Sequence, residues 1–122
     1  MLGITLNGSA PIYEQISKQI ENFILIGVLE PNESLPSVRE LATELMINPN
    51  TVQKAYAILE QNGAAYSVSG KGRFVTDNIE KLKNSKKETA MEDLKAVLES
   101  LQKKEITKNE ILQFVNNYFE GK

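Results

Sequence analysis

Two helix-start signals stand so close together in this chain that only a short helix and a tight turn fit between them. The first is Ser37-Val38-Arg39-Glu40. It has the form of a capping box, in which the serine hydroxyl accepts from the backbone three residues on and the glutamate reaches back to the serine N–H. Behind it, Val38, Leu41, Ala42 and Leu45 fall at helical spacing and give one apolar face. The second signal is Asn48-Pro49. Asparagine is a favoured N-cap, and proline at the first helical position loses no hydrogen bond. Val52, Ala55, Tyr56 and Leu59 form the next apolar stripe, and Gly63 is placed to end that helix in a left-handed conformation. Two such helices, the second opening with polar residues, make a helix-turn-helix pattern.

The flanks extend this frame. Gly3, Asn7, Gly8 and Ser9 make the first ten residues an expected short extended arm. Pro11 suits the first turn of a helix, and Ile12, Ile16, Ile20, Phe23 and Ile24 give that helix a continuous stripe. Gly27 is placed to terminate it, and residues 30–34 form a turn. After Gly63 the period changes from helical to alternating. Ala65-Tyr66-Ser67-Val68 and Arg73-Phe74-Val75-Thr76 are expected strands, joined by the four-residue loop Ser69-Gly70-Lys71-Gly72 with a lysine at its tip. A helix-turn-helix followed by a hairpin is a winged helix. The expected fold class is therefore mainly α with a small β-hairpin.

Residues 77–122 differ in character, with basic and acidic residues balanced at nine each. Leu94, Val97, Leu98 and Leu101 form a helical stripe. Thr107-Lys108-Asn109-Glu110 is a second capping box, opening a helix with Ile111, Leu112, Val115, Tyr118 and Phe119. Little chain remains to cover these faces, although burying each such side chain is worth about 1.5–3 kcal/mol. The nine residues are thus expected to form a dimer core rather than a ligand cavity. Glu92 and Asp93 are adjacent on a helix and point apart, so they form no metal or catalytic pair. The lysines at 81, 83, 86 and 87 are expected to be a solvated stretch.

Composition narrows the function. The chain has no histidine, no cysteine and no tryptophan. Disulfides, thiolate metal sites, Cys and His nucleophiles and a histidine base are all excluded. No constellation for catalysis, no cofactor site and no metal site is expected. The longest apolar run, from Phe23 to Leu29, is seven residues, against about 18 for a membrane span. No basic, apolar signal segment opens the chain, and a cytoplasmic protein without membrane contact is expected. The net charge of −2 announces no nucleic-acid partner. Within residues 11–76, however, Arg39, Lys54, Lys71 and Arg73 all lie in the helix pair or the hairpin, leaving only Lys18 elsewhere.

The stretches Leu35-Pro36-Ser37-Val38-Arg39-Glu40-Leu41-Ala42 and Asn48-Pro49-Asn50-Thr51-Val52-Gln53-Lys54-Ala55-Tyr56 resemble the signature of GntR-family bacterial transcription regulators. Ser69-Gly70-Lys71-Gly72-Arg73-Phe74-Val75 resembles that family's wing. The short tail after Thr76 resembles the YtrA-like subfamily, whose members are small dimeric regulators, commonly repressors of operons encoding ABC transporters. The resemblance implies a winged helix-turn-helix DNA-binding domain at residues 1–76 and a helical dimerisation region at 77–122. Double-stranded DNA carrying a two-fold operator would be the partner of a homodimer. Asn32 stands where the family turn usually has glycine, and asparagine tolerates the positive φ that such a turn needs. Ala64-Ala65 stands where larger apolar residues are usual, which implies a thinner contact between wing and core.

A recognition helix presents its first turn to the major groove. Asn50, Thr51 and Gln53 are the candidates for base contact, with Asn48 and Lys54 beside them. Arg39 matches the family's DNA-contacting arginine. Ser37 and the helix starts can bind phosphate while also serving as caps. Gly70 and Gly72 permit close backbone approach, Lys71 suits the minor groove or a flanking phosphate, and Arg73 adds charge. A small-molecule effector is left open and unidentified. The competing reading is a protein-interaction module on a winged-helix scaffold, whose binding would survive neutralisation of Arg39 and Lys71.

Overall fold

The computed structural model describes residues 2–121, in the order α1 (Ile12–Leu25), α2 (Val38–Leu45), α3 (Pro49–Gln61), β1 (Ala65–Val68), β2 (Gly72–Val75), α4 (Ile79–Lys103) and α5 (Lys108–Glu120). It divides into two compact units that meet within α4, one ending at Asn84 and the other beginning at Ser85.

In the first unit, α1, α2 and α3 enclose a single apolar core. Ile16, Ile20 and Ile24 enter from α1, Leu41 and Ala42 from α2, and Val52, Ala55, Tyr56 and Leu59 from α3. These are the stripes that the helical spacing predicts, with Val38 and Leu45 half-buried at the edge. Leu82, in the first turn of α4, is also buried in this core. Its position beyond the hairpin gave it no place in a periodic stripe.

The caps form as written in the sequence. The Glu40 N–H donates to Ser37 Oγ at 3.0 Å, and the Ser37 N–H donates to Glu40 Oε1 at 3.1 Å. At the start of α3, the Asn50 N–H donates to Asn48 Oδ1 at 2.8 Å, and Pro49 is the first helical residue. The turn between the two helices is closed by Met46, which lies in the left-handed region at φ 56°. Pro11 falls one residue before α1, where its carbonyl accepts from Glu14 and Gln15.

The hairpin is antiparallel, with Ala65 opposite Val75 and Val68 opposite Gly72. Its loop is Ser69-Gly70-Lys71, one residue shorter than expected, because the Lys71 N–H donates to the Val68 carbonyl at 2.9 Å. Gly70 supplies the positive φ, 76°, that lets so short a loop close. Asn32 has φ 64°, so the turn before Leu35 keeps its conformation without glycine. The Tyr66 hydroxyl further ties the turn to the wing by donating to Asn32 Oδ1 at 2.7 Å. Ala64 and Ala65 are both buried at the base of the wing.

The second unit consists of α4 from Ser85 onward and α5. Glu105, at φ 62°, sits in the connecting turn, and Thr107 and Glu110 form the expected capping box. Lys81, Lys83, Lys86 and Lys87 lie on α4, with Lys83 and Lys86 half-buried. Leu98, Leu101 and Ile111 are half-buried, and no residue of α5 is fully buried. Leu94, Val97, Leu112, Val115, Tyr118 and Phe119 are exposed. Met91 and Phe114 add to this surface although neither belonged to the expected stripes.

Candidate nucleic-acid interface

Three elements converge because the loop ahead of α2 is stitched to the second wing strand. The Leu35 N–H donates to the Arg73 carbonyl at 2.9 Å, and the Val75 N–H donates to the Glu33 carbonyl at 2.8 Å. From the other side, the Tyr56 hydroxyl of α3 donates to the Pro36 carbonyl at 2.8 Å. The start of α2, the outer side of α3 and the wing are thereby held around one groove of about 470 Å³. Ser37, Arg39, Gln53, Lys71, Gly72 and Arg73, far apart in sequence, all line it.

The ten expected DNA-contacting residues divide by environment. Arg39, Gln53 and Lys71 are exposed in the groove, and Asn48 and Asn50 are exposed on the first turn of α3. Thr51 is half-buried and Gly70 is exposed at the wing tip. Ser37 is exposed, and its hydroxyl oxygen accepts from the Glu40 N–H as the cap of α2. Hydrogen bonds from the Ser37 backbone and side chain hold the Glu40 carboxyl below its ordinary value. That carboxylate is committed to the cap, so it does not pair with Arg39.

Lys54 and Arg73 are engaged within the protein. The Lys54 ammonium, still exposed, lies 3.9 Å from the centre of the Tyr13 ring of α1, a cation–π contact between the two helices. Arg73 lies over Tyr56, with the guanidinium carbon 5.3 Å from the ring centre. Its Nε meets Glu60 Oε1 at 3.5 Å as an ion pair without a hydrogen bond, and the side chain is only 21% exposed. Glu60 also accepts from the Ser67 hydroxyl, so one carboxylate holds both wing strands to α3. Sequence reasoning placed Tyr56 in the core and did not single out Glu60 or Tyr13. Tyr56 is both a core residue and the strut of the groove, and its hydroxyl among apolar neighbours was the one available signal.

A family model described as bacterial regulatory proteins, gntR family, matches residues 12–75, the span from α1 through β2. The chain belongs to the gntR family. Among its gntR-family relatives is the HTH-type transcriptional repressor YtrA of Bacillus subtilis (strain 168), 46% identical over 78 residues. That match covers 64% of this chain and 60% of the repressor's length. The crystal structure of a transcriptional regulator from Oenococcus oeni superposes with a TM-score of 0.78 at 36% identity, covering 98% of this chain and 99% of the other. AraR(DBD), solved in complex with operator ORX1, is similar over 59% of this chain and 93% of its own, with a TM-score of 0.54 and 30% identity. This gntR-family chain is accordingly a transcription regulator with a winged-helix DNA-binding domain. Among the described residues, no helix is long and apolar enough to cross a membrane.

Proposed function

We propose that the protein is a homodimeric, cytoplasmic repressor that reads a two-fold operator in double-stranded DNA upstream of a transporter-type operon. Residues 1–76 would bind the DNA and residues 77–122 would join the two copies. The observation that carries this reading is the groove that gathers Ser37, Arg39, Gln53 and Lys71 beside the exposed first turn of α3. Asn50, Thr51 and Gln53 offer the donors, acceptors and methyl group that base edges recognise in the major groove. Arg39, Ser37 and the α2 N–H groups suit phosphate, as does Lys71 on the wing. Arg73 and Lys54 then act from behind, Arg73 bracing the wing and Lys54 tying α3 to α1. The likeness to YtrA, a repressor by name, supports the sign of regulation.

Dimerisation rests on the uncovered apolar surface of the second unit, where Phe114, Tyr118 and Phe119 are each more than 70% exposed. A surface of that kind marks an interface. Two-fold symmetry would place the half-sites about 34–36 Å apart, or a multiple of that. Fluorescence anisotropy with labelled DNA from upstream of the protein's own gene tests the reading. Tight binding that discriminates against scrambled duplex, weakens steeply with salt and collapses in Arg39→Ala is the expected result. Retained binding in Arg39→Ala and Lys71→Ala at low salt would instead favour a protein-interaction module.

A further inference from the structure

The arm ahead of α1 is held by two glutamines that act as if they were a neighbouring strand. Gln19 Oε1 accepts from the Thr5 N–H at 3.0 Å, and its Nε2 donates to the Thr5 carbonyl at 2.7 Å. Gln15 repeats the pair with Asn7, at 2.9 and 2.8 Å, and its Nε2 also donates to the Ala10 carbonyl at 2.6 Å. A primary amide presents the same donor and acceptor as a peptide group, so each glutamine substitutes for one residue of a ladder. The register works because four residues of helix rise about 6.0 Å while two residues of strand advance about 6.6 Å. Only the arm backbone is gripped. The Thr5 side chain makes no hydrogen bond among the described residues, and the Asn7 carboxamide oxygen accepts from Ser9.

The arm's side chains alternate as its backbone does. Leu2, Ile4 and Leu6 are half-buried against the core, whereas Gly3, Thr5 and Asn7 are exposed. At its far end, Leu2 lines a crevice with Glu33, Ser34, Leu35, Pro36 and Glu40. That loop is the one bonded to β2 and to Tyr56, and Glu40 is the residue that caps Ser37.

We propose that the arm is a working part of the DNA groove, with Gln15 and Gln19 as positioning residues. Paired with Asn7 and Thr5, they seat Leu2 against Leu35 and Pro36 and hold the turn from Ser37 to Arg39 in its DNA-competent place. The inference rests on the DNA-binding reading above. A site that is ordered for only a fraction of the time binds with its dissociation constant raised by the inverse of that fraction. If the unclamped turn is competent one tenth of the time, affinity falls about tenfold.

The test uses the full chain and a duplex selected from a random pool by the wild-type protein. Binding is read by anisotropy, and amide hydrogen exchange is followed over residues 2–10 and 33–40. The Gln15→Leu/Gln19→Leu variant is expected to bind about tenfold more weakly, with faster exchange in both segments. Gln19→Glu keeps an acceptor for the Thr5 N–H but loses the donor, and is expected to fall between. Thr5→Ala leaves the backbone pair intact and is expected to match wild type. Should the double variant not fold, Gln19→Leu alone, on the more exposed pair, carries the same comparison. An arm that exchanges freely while affinity and residues 33–40 are unchanged would overturn the proposal. If the wild-type chain selects no duplex, the DNA-binding reading fails separately. Exchange over 33–40 then decides the positioning role, supporting it if accelerated and overturning it if unchanged.

Discussion

Side chains of one chemical kind meet opposite fates in the two units. Ile16, Ile20, Leu41, Val52 and Leu59 are wholly buried in the first, whereas Phe114, Tyr118 and Phe119 of α5 are 72–80% exposed. Three helices and a hairpin can surround a core from every side, so the first unit covers its apolar stripes with its own chain. A pair of helices shares only one seam. Leu98, Leu101 and Ile111 gain partial cover, and everything facing away from the seam remains wet. The contrast teaches that amphipathic patterning reports the need for burial but not the source of the cover. A layered fold supplies the cover internally, and the proposed dimer is what would supply it to the helical hairpin.

The sharpest way to break that contrast is to cut into the self-sufficient core. Leu59→Ala should cost about 2–5 kcal/mol in urea unfolding of the first unit, through lost transfer energy and a residual cavity, and should leave the association state unchanged. The complementary change targets the wet face. Val115→Asp combined with Phe119→Asp should weaken self-association at least about a hundredfold, or about 2.8 kcal/mol, in sedimentation equilibrium. The melting of the first unit should not move. A double variant that stays associated would dissolve the distinction between the two units.

Tyr56 offers a finer probe, since it is both core and groove. Tyr56→Phe leaves the Pro36 carbonyl without its donor and should cost about 0.5–1.5 kcal/mol. Burial pushes the Tyr56 phenol above its ordinary range. The folded state therefore holds that proton more tightly than the unfolded chain, where the phenol titrates near pH 10. Its contribution is complete below about pH 10 and declines as the pH rises further. Urea titrations at alkaline pH should show this decline in wild type and a shallower one in Tyr56→Phe. The smallest expected effect is at Met46, whose left-handed backbone has no glycine to relieve it. Met46→Gly should stabilise the first unit by about 0.5–1 kcal/mol in the same assay, the relief of strain exceeding the added chain entropy.

The caps were legible because their chemistry is local. Ser37 with Glu40, Asn48 with Pro49 and Thr107 with Glu110 each act within four residues, so the spacing alone specifies the hydrogen bonds. The hairpin was legible by its change of period, and its loop differed by one residue because the closing Lys71 bond depends on the conformation at Gly70. Residues whose partners lie far along the chain were not legible. Arg73 and Lys54 looked like free cations in DNA-facing elements, yet Glu60, Tyr56 and Tyr13 engage them across the fold. The first ten residues read only as an extended arm, and the fold shows that Leu2, Ile4 and Leu6 turn to the core while two helix glutamines stand in for a partner strand.

The sequence by itself determined where helices begin, which faces seek cover and which residue types suit base edges and phosphates. Those properties follow from hydrogen bonds and periodicity within a few turns of chain. Tertiary structure decided which cations remain available, how the loop before α2 meets the wing and Tyr56, and which apolar stripes stay uncovered. Each of these depends on side chains or backbone groups brought together from distant parts of the chain, and local propensity carries no record of such pairings.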